Sequence, residues 1–259
     1  MTAIVTMRSF VSALCVAVTL GVLLPTTMQG AKAQDRPVAP ATPAVTVALP
    51  PELAYARFIA MIRGHLLAGD DLAAAKRWDG AARHYGFPRE EVYGVIRGDL
   101  AAYRTPAFDS DLRTLVRAAR AQNARQVEQA RGRIDKALAA ADANLKSHAS
   151  AWPGFVLRTA VELLKVAPDE YEDAVVKGRV LRPLGYQTAR GYVRQADRMI
   201  EAVRADLPDN TALAGLRADV ARLKEALGPA VPRGPAPVPP VELAALVDRI
   251  EASARTLSP

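Results

Sequence analysis

Residues 186–227 read YQTARGYVRQADRMIEAVRADLPDNTALAGLRADVARLKEAL. Tyr186, Ala189, Val193, Ala196, Ile200 and Val203 step by three and four, and so do Leu213, Leu216, Val220, Leu223 and Leu227. That spacing sets each group on one face of an α-helix. Pro208, Asp209 and Asn210 separate the two runs, and Asp209 or Asn210 suits the N-cap of the second helix. Two such stripes predict an antiparallel hairpin with coiled-coil-like packing.

Outward from this hairpin the helical period persists. Towards the N-terminus, Pro168 starts a helix through Val176, stopped by Gly178 and Pro183, and Trp152-Pro153 starts another over Gly154 to Val166. A long pattern runs from Ser110 to about His148, with Leu112, Leu115, Val116 and Ala119 before the polar Gln122-Asn123. After it the face resumes with Val127, Ala130, Ile134, Leu138, Ala141 and Leu145. Pro88 opens a helix carrying Val92, Tyr93, Ile96, Leu100 and Tyr103, with Glu90 and Glu91 in its first turn and Pro106 as its breaker. The first helix covers about Glu52 to Ala75; a turn at residues 76–80 leads to a short helix, Ala81 to Tyr85. The segment GDDLAAAKRWDGAARHY, residues 69–85, looks like one tetratricopeptide-type hairpin. No repeat follows it at a period of about 34 residues, so a solenoid is rejected. The expected fold class is all-α: an antiparallel helical bundle of long hairpins over residues 52–227, with a tetratricopeptide-like first hairpin. Only Val45 to Leu49 hints at a strand.

The ends read differently. Arg8, the apolar run Phe10 to Pro25 and Ala31-Lys32-Ala33 have the form of a secretory signal over residues 1–33, cleaved after Ala33. The run is too short for a membrane span, and the mature chain is expected to contain no transmembrane helix. Localisation in the periplasm follows. Cys15 is the only cysteine and falls in the signal, so the mature chain has no disulfide and no thiolate metal site. Residues 34–51 form a Pro/Ala-rich flexible leader, and residues 228–240 (GPAVPRGPAPVPP) a Pro-rich linker. A short helix over residues 241–257, with Leu243, Leu246, Val247, Ile250 and Ala254 on one side, either docks on the core or hangs free for a partner.

The formal charge is +7, and losing Arg8 and Lys32 leaves +5. This excess is dispersed, with no basic stripe interleaved with aromatics, so nucleic acid is excluded as a partner. No G-x-S-x-G, H-E-x-x-H, phosphate-binding or dinucleotide motif occurs, and no convergent acid, base or nucleophile can be named. The chain therefore reads as non-enzymatic. Two sets remain as metal candidates. His65 and His84 would meet across the first hairpin with Glu90 or Glu91 nearby, a set suited to iron or another divalent transition metal. The plainer reading of the same histidines is as partly buried or surface groups with a hydrogen-bond partner. Asp169, Glu170 and Asp173 belong to the densest acidic cluster, where a cation would relieve the Asp169–Asp173 repulsion. The plainer reading is an acidic first helical turn after Pro168 with Lys165, Lys177 and Arg179 as counter-ions.

The stretch Glu170-Tyr171-Glu172-Asp173-Ala174-Val175-Val176-Lys177-Gly178-Arg179-Val180, followed by Tyr186 and Ala189, resembles the extracytoplasmic helical region of bacterial iron-permease family proteins. The resemblance extends over about 40 residues around 169–203. Tyr171, Ala174, Val175, Gly178, Val180 and Tyr186 carry it, whereas Gly185 stands where that family tends to place Glu, and the permease's Arg-Glu-x-x-Glu motifs are absent. The resemblance implies a periplasmic helical protein supporting metal binding or uptake, iron first, as accessory to a membrane transporter. The alternative is an envelope scaffold or protein-interaction module without bound metal.

Overall fold

The computed structural model describes residues 48–232 and 234–258. The signal-like segment with Cys15, the leader up to residue 47 and most of the Val45–Leu49 run lie outside the described residues.

The chain is helical, as the periodicity predicts. In order come α1 (Pro51–Ala74), α2 (Trp78–Phe87), a π-helical segment (Pro88–Tyr93), α3 (Gly94–Ile96), α4 (Asp109–Arg120) and α5 (Ala124–His148). There follow α6 (Trp152–Leu164), α7 (Ala167–Ala174), β1 (Val175–Val176), β2 (Arg179–Val180), α8 (Pro183–Val203), a 3-10 turn (Arg204–Asp206), α9 (Thr211–Ala226) and α10 (Pro240–Leu257). Helices α1, α6, α7, α8 and α10 each have proline in the first two positions, where its missing N–H costs nothing. Asn123 caps α5 by accepting from the Gln126 amide, and Asn210 caps α9 by accepting from Ala212 and Leu213.

Several local expectations need correction. Pro88 starts no new helix: α2 begins at Trp78 and passes through Pro88 in a π-helical segment, whose altered hydrogen bonding absorbs the absent amide. The pattern from 110 to 148 is two helices, because Gln122 adopts a left-handed backbone (φ 54°) and Asn123 caps anew. Helix α7 stops at Ala174, and Val175–Val180 turns back as a two-stranded hairpin with Val175 opposite Val180. Lys177 (φ 52°) and Gly178 (φ 70°) supply the positive dihedrals that such a turn demands. The pairing of the last helices also differs. The Tyr186 and Leu213 stripes are buried as expected, but α8 packs chiefly on α1, α6 and α7, and α9 chiefly on α10. Period tells which face is buried, not what it is buried against.

Two hydrophobic cores result. One joins α1, α2, α4 and α5 around Ile59, Ile62, Leu66, Tyr85, Phe108, Leu115 and Ile134. The other joins α6 to α10 around Leu157, Leu164, Tyr171, Tyr186, Val193, Leu216, Leu223 and Ile250, and Ala60 of α1 packs into it. Helix α10 docks on this second core through Leu243, Leu246, Val247, Ile250, Ala254 and Leu257. The cores meet where α1 crosses α8. There Gly64 faces Gly191 so closely that a Cβ on Gly191 would run into the Gly64 carbonyl, and one on Gly64 into the Tyr192 ring. Among the described residues no helix is long and apolar enough to cross a membrane.

Candidate functional site

The α1–α8 crossing carries two buried histidines. His65 of α1 and His84 of α2 are 3 % and 0 % exposed. Their Nδ1 atoms lie 3.4 Å apart. Tyr192 Oη is 3.0 Å from His65 Nε2, and His84 Nε2 is 3.1 Å from Gln187 Oε1. Gln187 Nε2 donates in turn to the Ala230 carbonyl at 3.1 Å.

These contacts fix the protons. The amide oxygen of Gln187 only accepts, so His84 carries its proton on Nε2 and presents a lone pair at Nδ1. His65 must then donate from Nδ1, which leaves its Nε2 to accept from Tyr192. The result is one chain in a single direction: Tyr192, His65, His84, Gln187, Ala230. Every ring nitrogen is satisfied with both imidazoles neutral. The surroundings agree. Phe87 stacks on His65 with ring centroids 5.0 Å apart. Burial pushes His65 down to about 3, with neighbouring His84 adding to the effect. Burial likewise takes His84 down to about 4 against the opposing hydrogen bond to Gln187. Tyr192 is raised far above the usual phenol range, by burial first and then by the Glu170 charge.

The hairpin does bring His65 and His84 together, yet the other proposed ligands lie elsewhere. Glu90 is exposed on the π-helical segment, beside Gly86. Asp169 and Asp173 are exposed on α7, and Glu170 is half-buried there. Burial, then Asp173 and Asp169, raises the Glu170 carboxyl to about 7. Among the described residues no three His, Cys, Asp or Glu side chains gather closely enough to hold a metal ion. A cation between the two rings would need both Nδ1 lone pairs, and the His65–His84 hydrogen bond occupies that space. The donor set suits a neutral relay better than a metal centre.

Next to the relay, two acids at the end of α1 fasten it to three helices. Asp70 accepts from Tyr85 of α2 at 2.8 Å and pairs with Arg131 of α5. Asp71 pairs with both Arg190 and Arg194 of α8. Sequence reading passed over these acids, and over Gln187. Their partners lie 15 to 123 positions away, and no local pattern encodes such pairing.

Residues 228–232 and 234–240, within the segment that sequence composition marks as a linker, run as a strap pinned to the second core. Tyr186 donates to the Leu227 and Pro229 carbonyls, Arg190 to Gly228 at 2.8 Å, and Tyr171 to Val238 at 2.8 Å. The Ala236 amide donates to Gly178 at 2.8 Å, and Arg179 bridges Pro235. Tyr171, Gly178 and Tyr186 are residues that carry the iron-permease resemblance. Gly185 is explained too: a Cβ there would stand 2.6 Å from the Glu170 carbonyl, so the Glu of the family pattern has no room.

No curated protein and no solved structure matches the chain. The part built from α6 to α10 around the strap does have a counterpart: residues 146–259 match the family model described as the iron permease-associated 4-helix bundle domain.

Proposed function

We propose that the protein is an exported, non-enzymatic helical accessory of iron uptake that works beside a membrane permease. One observation carries this reading: the segment matching the iron permease-associated domain coincides with the second hydrophobic core, built almost wholly by α6 to α10. A domain that has its own core and accompanies iron permeases is suited to contact one. The signal-like residues 1–33 support export, and the described helices offer no span of their own. Iron is here the cargo of the permease.

The saturated histidine relay favours a second reading within the same frame: the protein acts by contact and binds no ion itself. Cross-linking in intact cells, followed by mass spectrometry of the adducts, tests the proposal. It expects adducts between residues 146–259 and a membrane iron permease. Adducts confined to proteins unrelated to metal transport would overturn it.

A further inference from the structure

A cleft of about 830 Å³ opens between the start of α2, the start of α8 and the strap. Its volume is within the usual range of small-molecule sites. Lys76, Arg77, Arg83 and Arg182 line it, with the Trp78 indole and a single carboxylate, Asp79. Among the described residues none of the four cations lies within ion-pair distance of a carboxylate. Arg182 makes one bond, to the Asp173 carbonyl at 3.2 Å, which leaves its other donors over.

The helix caps sharpen the point. The N-cap of α2 is Arg77 and that of α8 is Arg182, and neither helix has a side-chain cap hydrogen bond. Helices favour Ser, Asp or Asn there, because a side-chain oxygen satisfies the free amides and negative charge suits the positive end of the dipole. Here two helix starts converge on one cleft with arginine at both cap positions. Positive charge is stacked on positive dipole, an arrangement that works against folding by itself. Most helices here start without a side-chain cap, but among the described residues α2 and α8 alone carry arginine at that position, and both arginines line this cleft.

We infer that this cleft binds a small, multiply charged oxyanion, a polycarboxylate or a phosphate. The four cations supply the donors, and Trp78 supplies an apolar wall. Gln187 lies in the same lining and also accepts from His84 in the histidine relay, so an occupant would touch the residue that orients His84. This inference does not depend on the link to iron uptake.

Isothermal titration of the purified protein with citrate, with inorganic phosphate and with acetate tests it. Saturable binding of citrate or phosphate at about 1 mM or tighter is expected, with acetate at least tenfold weaker. Whichever of citrate and phosphate binds tighter identifies the carboxylate or the phosphate chemistry. The double variant Arg77→Gln/Arg83→Gln should weaken binding at least tenfold, and Lys146→Gln, which removes an exposed cation outside the cleft, should leave it unchanged. The better anion should also raise the melting temperature of the unaltered protein, a readout that needs no variant. No saturable heat with either anion, or equal weakening by Lys146→Gln, would overturn the assignment.

Discussion

Gly191 of α8 lies against Gly64 of α1 with no space for a Cβ on either. The two cores of the molecule are joined through this contact, and the buried histidine relay sits immediately beside it. The residue that follows Gly64 is His65, and the one that follows Gly191 is Tyr192. Close approach of the two backbones is therefore what lets the phenol reach the imidazole.

Replacing Gly191 by alanine should cost about 3 kcal/mol or more, because the added methyl meets backbone rather than a movable side chain. Gly132→Ala in α5, where nothing lies within 4 Å, should instead be neutral or stabilise by up to about 1 kcal/mol. Urea denaturation of both variants checks the pair of outcomes. Equal effects would contradict the crossing as described.

Acid should loosen the fold through the relay. Both histidines hold folded values of about 3 and about 4, below their ordinary 6.5. Between pH 6.5 and 4 the unfolded chain takes up protons that the folded one refuses, so stability falls as pH falls. The slope is about 1.4 kcal/mol per pH unit for each histidine. His84→Asn should roughly halve the relay's share of that slope. Unfolding midpoints from pH 7.5 to 4.5 measure it, and a flat profile would argue against neutral, buried imidazoles.

Glu170 should act with the opposite sign. Its carboxyl is raised to about 7 in the fold, so the folded state keeps a proton that the unfolded state loses above about 4.5. That contribution declines as pH rises through this window. Glu170→Gln should gain stability at pH 8 and show no gain at pH 4; a gain independent of pH would point to packing rather than charge.

Tyr192→Phe removes the donor that satisfies His65 Nε2. Leaving that buried acceptor unpaired should cost about 1–3 kcal/mol. Proton NMR of the imidazole region should show the His65 ring resonances shift while those of exposed His148 stay in place.

Tyr171→Phe should free the Val238 carbonyl and amide from their shared hydroxyl. Limited proteolysis is expected to cut residues 228–240 faster in this variant, with a stability loss of about 1 kcal/mol. Unchanged cleavage would mean that the strap is held without the phenol.

Much of this architecture was legible in the sequence, and the boundary is physical. The stripes at Tyr186–Val203 and Leu213–Leu227 named buried faces correctly, because periodicity records which side meets the core. The meeting of His65 and His84 followed from a local hairpin. The partners of those faces did not follow: α9 chose α10, and Tyr192 reached His65 across 127 positions. The β1–β2 turn escaped notice because two residues per strand give no alternation to read. The strap escaped because its Pro-rich composition signals extension equally well for free and pinned chain. The iron-permease resemblance came from Tyr171, Ala174, Gly178 and Tyr186, residues that the fold uses for packing, turning and tethering.

The most direct measurement is radioactive iron accumulation by iron-starved cells that lack this protein, compared with the same cells given it back. The proposed role predicts a clear fall in uptake that the intact protein restores and that a form with the α1–α8 crossing disrupted by Gly191→Ala does not. Uptake that is the same with and without the protein would contradict a role in iron transport.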